Sequence, residues 1–124
     1  MNDEPVERLV RAIAGHDRAA LGAVLAPDVD FRGLTPGRSW EASTADEVVG
    51  IVLGHWFEDT DHVEALTRFQ RGPSVADVEQ VAYRFELVNE AGPHVVEQQA
   101  YYRHDGERLT YLRVLCSGFR PRGS

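Results

Sequence analysis

The chain has no lysine. All 13 basic residues are arginine, against 20 acidic ones, and the formal net charge is −7. A phosphate backbone is bound by a basic face, so this balance argues against nucleic acid as a partner. The missing lysine itself reads as compositional bias rather than mechanism. Cysteine is nearly absent too: Cys116 stands alone. A single thiol closes no internal disulfide, which fits a reducing compartment. No stretch approaches the roughly 18 apolar residues that a membrane span requires, so no membrane partner is expected. The opening MNDEPVERL is acidic and has no apolar core of the kind a secretory leader carries. A cytoplasmic location is the expectation.

What is present is ordinary for a folded chain: 124 residues, 43% hydrophobic and 27% charged. A chain of this size buries roughly two-thirds of its unfolded surface, enough for one core without staples. A single domain over 1–124 follows, with its core at about 4–119 and a tail at 120–124. No repeat or low-complexity linker divides it.

Helical spacing comes first. Pro5 is tolerated in a first turn, and Val6, Leu9, Val10 and Ile13 share a face up to Gly15. Asp17 is an N-cap for a second short helix carrying Ala20, Leu21, Val24 and Leu25, which Ala26-Pro27-Asp28 breaks. Val29–Gly33 alternates as a short strand, and GLTPGRSWEAS (33–43) reads as a loop. Thr44 with Glu47 forms a capping box opening a helix through Val48, Val49, Val52, Leu53 and Trp56. After Asp61 the period switches to two. Strands are expected at about 62–71, 78–89, 94–104 and 108–118, with turns at Gly72-Pro73, Glu90–Pro93 and Asp105-Gly106. Three helices followed by long antiparallel strands make an α+β domain, in which a curved sheet encloses a cavity.

Three stretches carry a family resemblance: GHDRAALGAVLAPDVDF, the capped helix TADEVVGIVLGHWF and the hairpin AYYRHDGERLTYLRVL. Together they resemble the NTF2-like superfamily, which includes SnoaL-like polyketide cyclases and ketosteroid isomerases. The resemblance spans about 4–119 and implies an α+β cone, three N-terminal helices packed on a mainly antiparallel sheet. It matches no close subfamily. Isomerase members place a Tyr on the first helix and an Asp on each of two strands. The matching positions here are Leu9, Phe31 and Ala100, all apolar. The cyclase-type Glu-His-Trp run is replaced by Thr110-Tyr111-Leu112.

Strand parity selects the cavity wall. Charged Arg113 puts Leu112, Val114 and Cys116 inward, and the same logic selects Val96, Gln98, Ala100 and Tyr102, then Val81, Tyr83, Phe85 and Leu87. The candidate ligand-binding set is Phe31, Trp40, Trp56, Tyr83, Gln98, Tyr102 and Cys116. Cys116 is read as a small buried hydrophobe rather than a nucleophile. No metal ligand set and no cofactor is expected.

HWFEDTDH (55–62) breaks a local rule by placing Glu58, Asp59 and Asp61 at a helix C-terminus, where the dipole disfavours anions. His55 and Asp59, spaced i, i+4, are the candidate catalytic pair. A divalent-metal site and a solvated turn offset by His55 and nearby arginines remain the other readings. Arg38 and Trp40 are candidates to clamp a ligand at the mouth.

Two functions compete. One is a small-molecule pocket for an apolar or aromatic ligand, extending to cyclase-, isomerase- or hydrolase-like chemistry without the Asp dyad. The other is a non-catalytic binding or dimerisation module. The outward parity carries Tyr101, Tyr111 and Leu115 among Glu97, Gln99, Arg103 and Arg113, so a homodimer through the outer sheet face is expected.

Overall fold

The computed structural model describes residues 4–122. Helix α1 (Pro5–Ala14) begins on its proline and buries Val6, Leu9, Val10 and Ile13; Gly15 N–H closes it onto Arg11 O at 2.9 Å. Helix α2 (Arg18–Val24) is capped by Asp17, whose carboxylate accepts from Ala20 N–H at 3.0 Å. Leu21 and Val24 are buried, while Ala20 stays exposed.

Strand β1 (Leu25–Thr35) is longer than its alternation suggests. It starts directly after α2 and takes Pro27 and Asp28 through a register shift between Leu25 and Asp30. Proline is accommodated at such an irregularity because no ladder N–H is needed there. The expected loop at 33–43 is a hairpin instead: β2 (Arg38–Ala42) pairs antiparallel with β1, from Phe31↔Ala42 to Thr35↔Arg38. Pro36 and Gly37 make its turn, and Gly37 sits at φ +77°, the left-handed region that a Pro-Gly turn requires.

Helix α3 (Ala45–Ile51) opens on the capping box, with Thr44 Oγ1 accepting from Glu47 N–H at 3.2 Å. It runs into one π-helical turn, Val52–Trp56, closed by Phe57 N–H onto Val52 O at 2.8 Å. The widened turn aims both Trp56 and Phe57 inward. Trp56 packs beside Phe31, at 5.9 Å between ring centroids, and Phe57 beside Phe85, also at 5.9 Å. Gly33 on β1 makes that approach possible: a Cβ there would stand 2.5 Å from Trp56 Cη2.

The remaining strands are β3 (His62–Arg71), β4 (Glu79–Asn89), β5 (Gly92–His104), β6 (Leu109–Cys116) and β7 (Arg120–Pro121). The sheet order is β2-β1-β6-β5-β4-β3, with β7 on β5. Only the β1–β6 pairing is parallel. Gly92-Pro93, expected in a turn, belong to β5.

Part of the expected tail is ordered. Arg120 and Pro121 pair with Val95 and His94, and Arg122 reaches Glu86 at 2.7 Å and Glu64 at 3.4 Å. Residues 123–124 of the tail reading, and residues 1–3 of the leader reading, lie outside the described residues.

The core lies between the three helices and the sheet. The inward parities are the expected ones: Val81, Tyr83, Phe85, Leu87, Val96, Gln98, Ala100, Tyr102, Leu112, Val114 and Cys116 are all buried. Leu9, Phe31 and Ala100, the positions that the resemblance matches to the isomerases' polar groups, are closed apolar core. Among the described residues no helix is long and apolar enough to cross a membrane.

Candidate functional site at the mouth of the cone

A bowl of about 420 Å³ opens where β2, the π-helical turn, the β3 entry, the end of β4 and the segment after β6 converge. Trp40, Trp56, His55 and Phe119 supply its aromatic surface; Glu58, Asp61 and Asn89 supply its polar side. Cys116 forms part of the wall.

Each element places its residue for a local reason. Trp40 lies on an exposed edge strand, and its indole N–H donates to Thr35 Oγ1 across the hairpin at 2.9 Å. The Arg38 guanidinium lies 3.5 Å over the Trp40 ring, so these two close on each other rather than on a ligand. On its other contacts Trp40 meets His55 at 5.3 Å and the edge of Trp56 at 6.2 Å. Trp56 is only 8% exposed, and its indole N–H has no hydrogen-bond partner among the described residues. Phe119 stands against Phe57 at 5.7 Å, held there because Gly118 adopts φ +72° at the chain's swerve after β6.

The acidic helix end resolves into two unlike halves. Asp61 is buried and ordered: it accepts from Glu58 N–H at 2.9 Å and from the Asn89 side chain at 3.0 Å. Both donors are neutral, so neither cancels its charge. The Glu58 carboxylate is exposed and has no hydrogen bond or ion pair among the described residues. Asp59 points away from the bowl, 3.5 Å from His16 Nε2. The expected His55–Asp59 pair is therefore not assembled. The chain leaves the helix at Phe57, which is extended at φ −119°, ψ 101°, so i and i+4 no longer share a face. His16 and Arg18, which sequence spacing does not connect to this segment, hold the carbonyls there. His16 Nε2 lies 3.1 Å from Leu53 O and 2.9 Å from Phe57 O, and Arg18 donates to Leu53 O at 2.9 Å. The Arg18 cation at this helix C-terminus favours the dipole and offsets the acids.

Behind the bowl the other candidates are packed. Phe31, Tyr83 and Tyr102 are at most 1% exposed. The Tyr83 hydroxyl donates to Gln98 Oε1 at 2.7 Å, and Gln98 Nε2 donates to Cys116 Sγ at 3.3 Å. Burial pushes the Tyr83 pKa far above its ordinary value, with Cys116 nearby adding to the shift, so this phenol stays protonated. Tyr102 is also raised, first by burial and then by Glu79; Arg71, donating to its hydroxyl at 3.1 Å, pulls the other way. The structure thus gathers Trp40, Trp56, Cys116 and His55 at one opening, leaves Phe31 and Tyr102 in the core, and sets Tyr83 and Gln98 beside a separate hollow of about 320 Å³ that Cys116 also lines. Sequence reasoning missed Thr35, Asn89 and Phe119. The Pro36-Gly37 pair is the one sequence signal for the hairpin that carries Thr35, and the loop reading of 33–43 passes over it.

Among the described residues, no group of three or more His, Cys, Asp or Glu side chains is placed to hold a metal ion.

No family model and no curated protein matches the sequence. Solved structures do match in shape. An isomerase candidate from Bacillus subtilis superposes with a TM-score of 0.75 at 10% identity, covering 94% of this chain and 90% of that one. The fold is the NTF2-like cone. A Catenulispora acidiphila protein of ketosteroid isomerase-like fold, solved with trimethylamine, gives 0.68 at 18% identity over 94% of this chain and 88% of its own. A polyketide cyclase candidate from Xanthomonas campestris gives 0.66 at 15% identity, covering 90% and 86%. At such identities the likeness is one of fold, and a fold of this kind hosts unrelated functions.

Proposed function

We propose that this NTF2-like cone is a small-molecule-binding protein whose site is the bowl at its mouth, and that it takes an apolar or aromatic ligand there. One observation carries the reading: Trp40, Trp56 and Phe119 converge from three separate elements on one opening of about 420 Å³. Concave, aromatic-lined openings with a few polar groups are the usual form of small-ligand sites. The trimethylamine held by the Catenulispora acidiphila protein supports ligand binding in a cone of this shape. Binding is favoured over turnover. The isomerase positions are closed core, Tyr83 is held protonated, and His55 and Asp59 face different openings.

The chain has only two tryptophans, and both line the bowl; Trp40 also borders the groove on the outer sheet face, so emission from Trp56, kept by a Trp40→Phe variant, is the signal specific to this site. Titration with a set of small neutral and charged aromatic and alkyl compounds is expected to quench or shift that emission saturably. No saturable response to any compound at millimolar concentration would sink the proposal.

A second feature belongs to the outer sheet face and supports self-association. Leu34 and Leu115, cross-strand neighbours, are 54% and 51% exposed beside Tyr101 at 37%. They line a groove of about 520 Å³ with Arg32, Arg113 and Glu41. We propose a second copy of this chain as its occupant, because a face carrying both arginines and a carboxylate around an apolar centre is complementary to itself under a two-fold axis. A cytoplasmic location is proposed alongside, on the strength of the single free thiol.

A further inference from the structure

We infer that the ligand of the bowl is a small organic cation, a methylated or otherwise apolar-shelled ammonium. This rests on the reading of the bowl as the binding site and adds the sign of the ligand's charge. Of the ten lining residues, the two that carry a fixed formal charge at neutral pH are Glu58 and Asp61, both negative. No arginine lines the bowl, in a chain with 13 of them. Of the arginines near the rim in sequence, Arg38 is spent on a face of Trp40, and Arg120, which follows Phe119, belongs to β7 and does not line the bowl.

The two carboxylates are free to act on a ligand. Asp61 is fixed by two neutral donors and no cation, and the Glu58 side chain has no hydrogen bond or ion pair among the described residues. Trp40, Trp56 and Phe119 line the same opening, and an aromatic ring attracts a cation through the negative lobe of its π-system. An ammonium wrapped in methyl groups suits both surfaces at once: its carbon shell is buried against rings, and its charge meets acids. A small anion would face two carboxylates and no cationic partner. The chain's overall charge of −7 draws cations toward it in the same sense.

Choline and its uncharged carbon analogue, 3,3-dimethyl-1-butanol, have nearly the same shape and differ in charge. Each is titrated against the intact protein with tryptophan emission as the readout. Choline is expected to bind at least about tenfold more tightly than the alcohol. In Glu58→Gln that preference is expected to shrink severalfold. The Glu58 side chain is exposed and makes no hydrogen bond or ion pair among the described residues, so the isosteric variant tests charge. Equal affinity for the two compounds overturns the inference while leaving the bowl as a binding site. A preference that survives Glu58→Gln at full size overturns it as well. Absence of any response to either compound, together with a blank screen of neutral ligands, removes both this inference and the site on which it rests.

Discussion

A buried primary amide brings an oxygen and two N–H groups into a place where water cannot reach them. Gln98, 3% exposed, meets that demand by accepting from the Tyr83 hydroxyl and donating to the Cys116 sulfur. Gly118 N–H also points at that sulfur, at 3.4 Å. The thiol is thus a small acceptor in a wall, which accounts for a lone cysteine on the inner parity of β6. The chain from tyrosine to amide to thiol makes a specific energetic statement. Removing one partner strands the other at a cost of about 1–3 kcal/mol, whereas removing both leaves little unsatisfied. Gln98→Leu and Tyr83→Phe are each expected to lower unfolding stability. The double variant should lose clearly less than the sum, with a coupling of about 1 kcal/mol. Urea denaturation of the four proteins measures it. Strict additivity would mean the bond contributes nothing.

At the scale of elements, the legible parts are those in which one physical period dominates. β4, β5 and β6 each set a buried parity against a polar one, so their inner residues follow from alternation alone. β2 has no buried residue to alternate, and Ser, Arg and Gly in 33–43 resemble a loop for that reason. The π-helical turn is illegible for a related cause. Val52, Leu53 and Trp56 fit an α-helical face, and nothing in their spacing announces that Phe57 turns inward as well. The extended Phe57 that follows the turn is what separates His55 from Asp59. The start of α3, by contrast, was written locally. Glu47 accepts from Ser43 N–H at 3.1 Å and from Thr44 Oγ1 at 3.1 Å. The bond to the Ser43 backbone first, and Thr44 next, hold its carboxyl below the ordinary range. A carboxyl depressed in the folded chain adds stability above its unfolded pKa of about 4.3 and loses it as pH falls through the lower folded value. Glu47→Ala should therefore melt below the parent protein at neutral pH, and the gap in Tm should close in strong acid. A gap that is independent of pH would show that the side chain acts through something other than its charge.

At the scale of the molecule, a cone of one sheet and three helices covers only the sheet's inner face; the outer face must meet either water or protein. Its outward residues were predictable from parity. The site was not, because Thr35, Glu58, Asp61, Asn89 and Phe119 meet only when separate elements close around the opening. The outer face is also where net charge and local chemistry disagree. Two copies at −7 each repel at long range, yet the groove between Leu34 and Leu115 is bordered by Arg32 and Arg113 with Glu41. Salt screens the first effect over about 8–10 Å, but leaves apolar burial intact. Association through this face should consequently strengthen, or hold, as ionic strength rises, the reverse of what charge-driven pairing would do. Leu115→Asp buries a carboxylate at the centre of such an interface and is expected to yield monomers of 13.8 kDa, while the parent protein sediments at twice that mass. Leu115 is half exposed and outside the core, so the variant's fold should be untouched, which far-UV circular dichroism checks in the same sample. A parent protein that sediments as 13.8 kDa at micromolar concentration across the salt series would leave the outer face to water, and the exposed leucines without a partner.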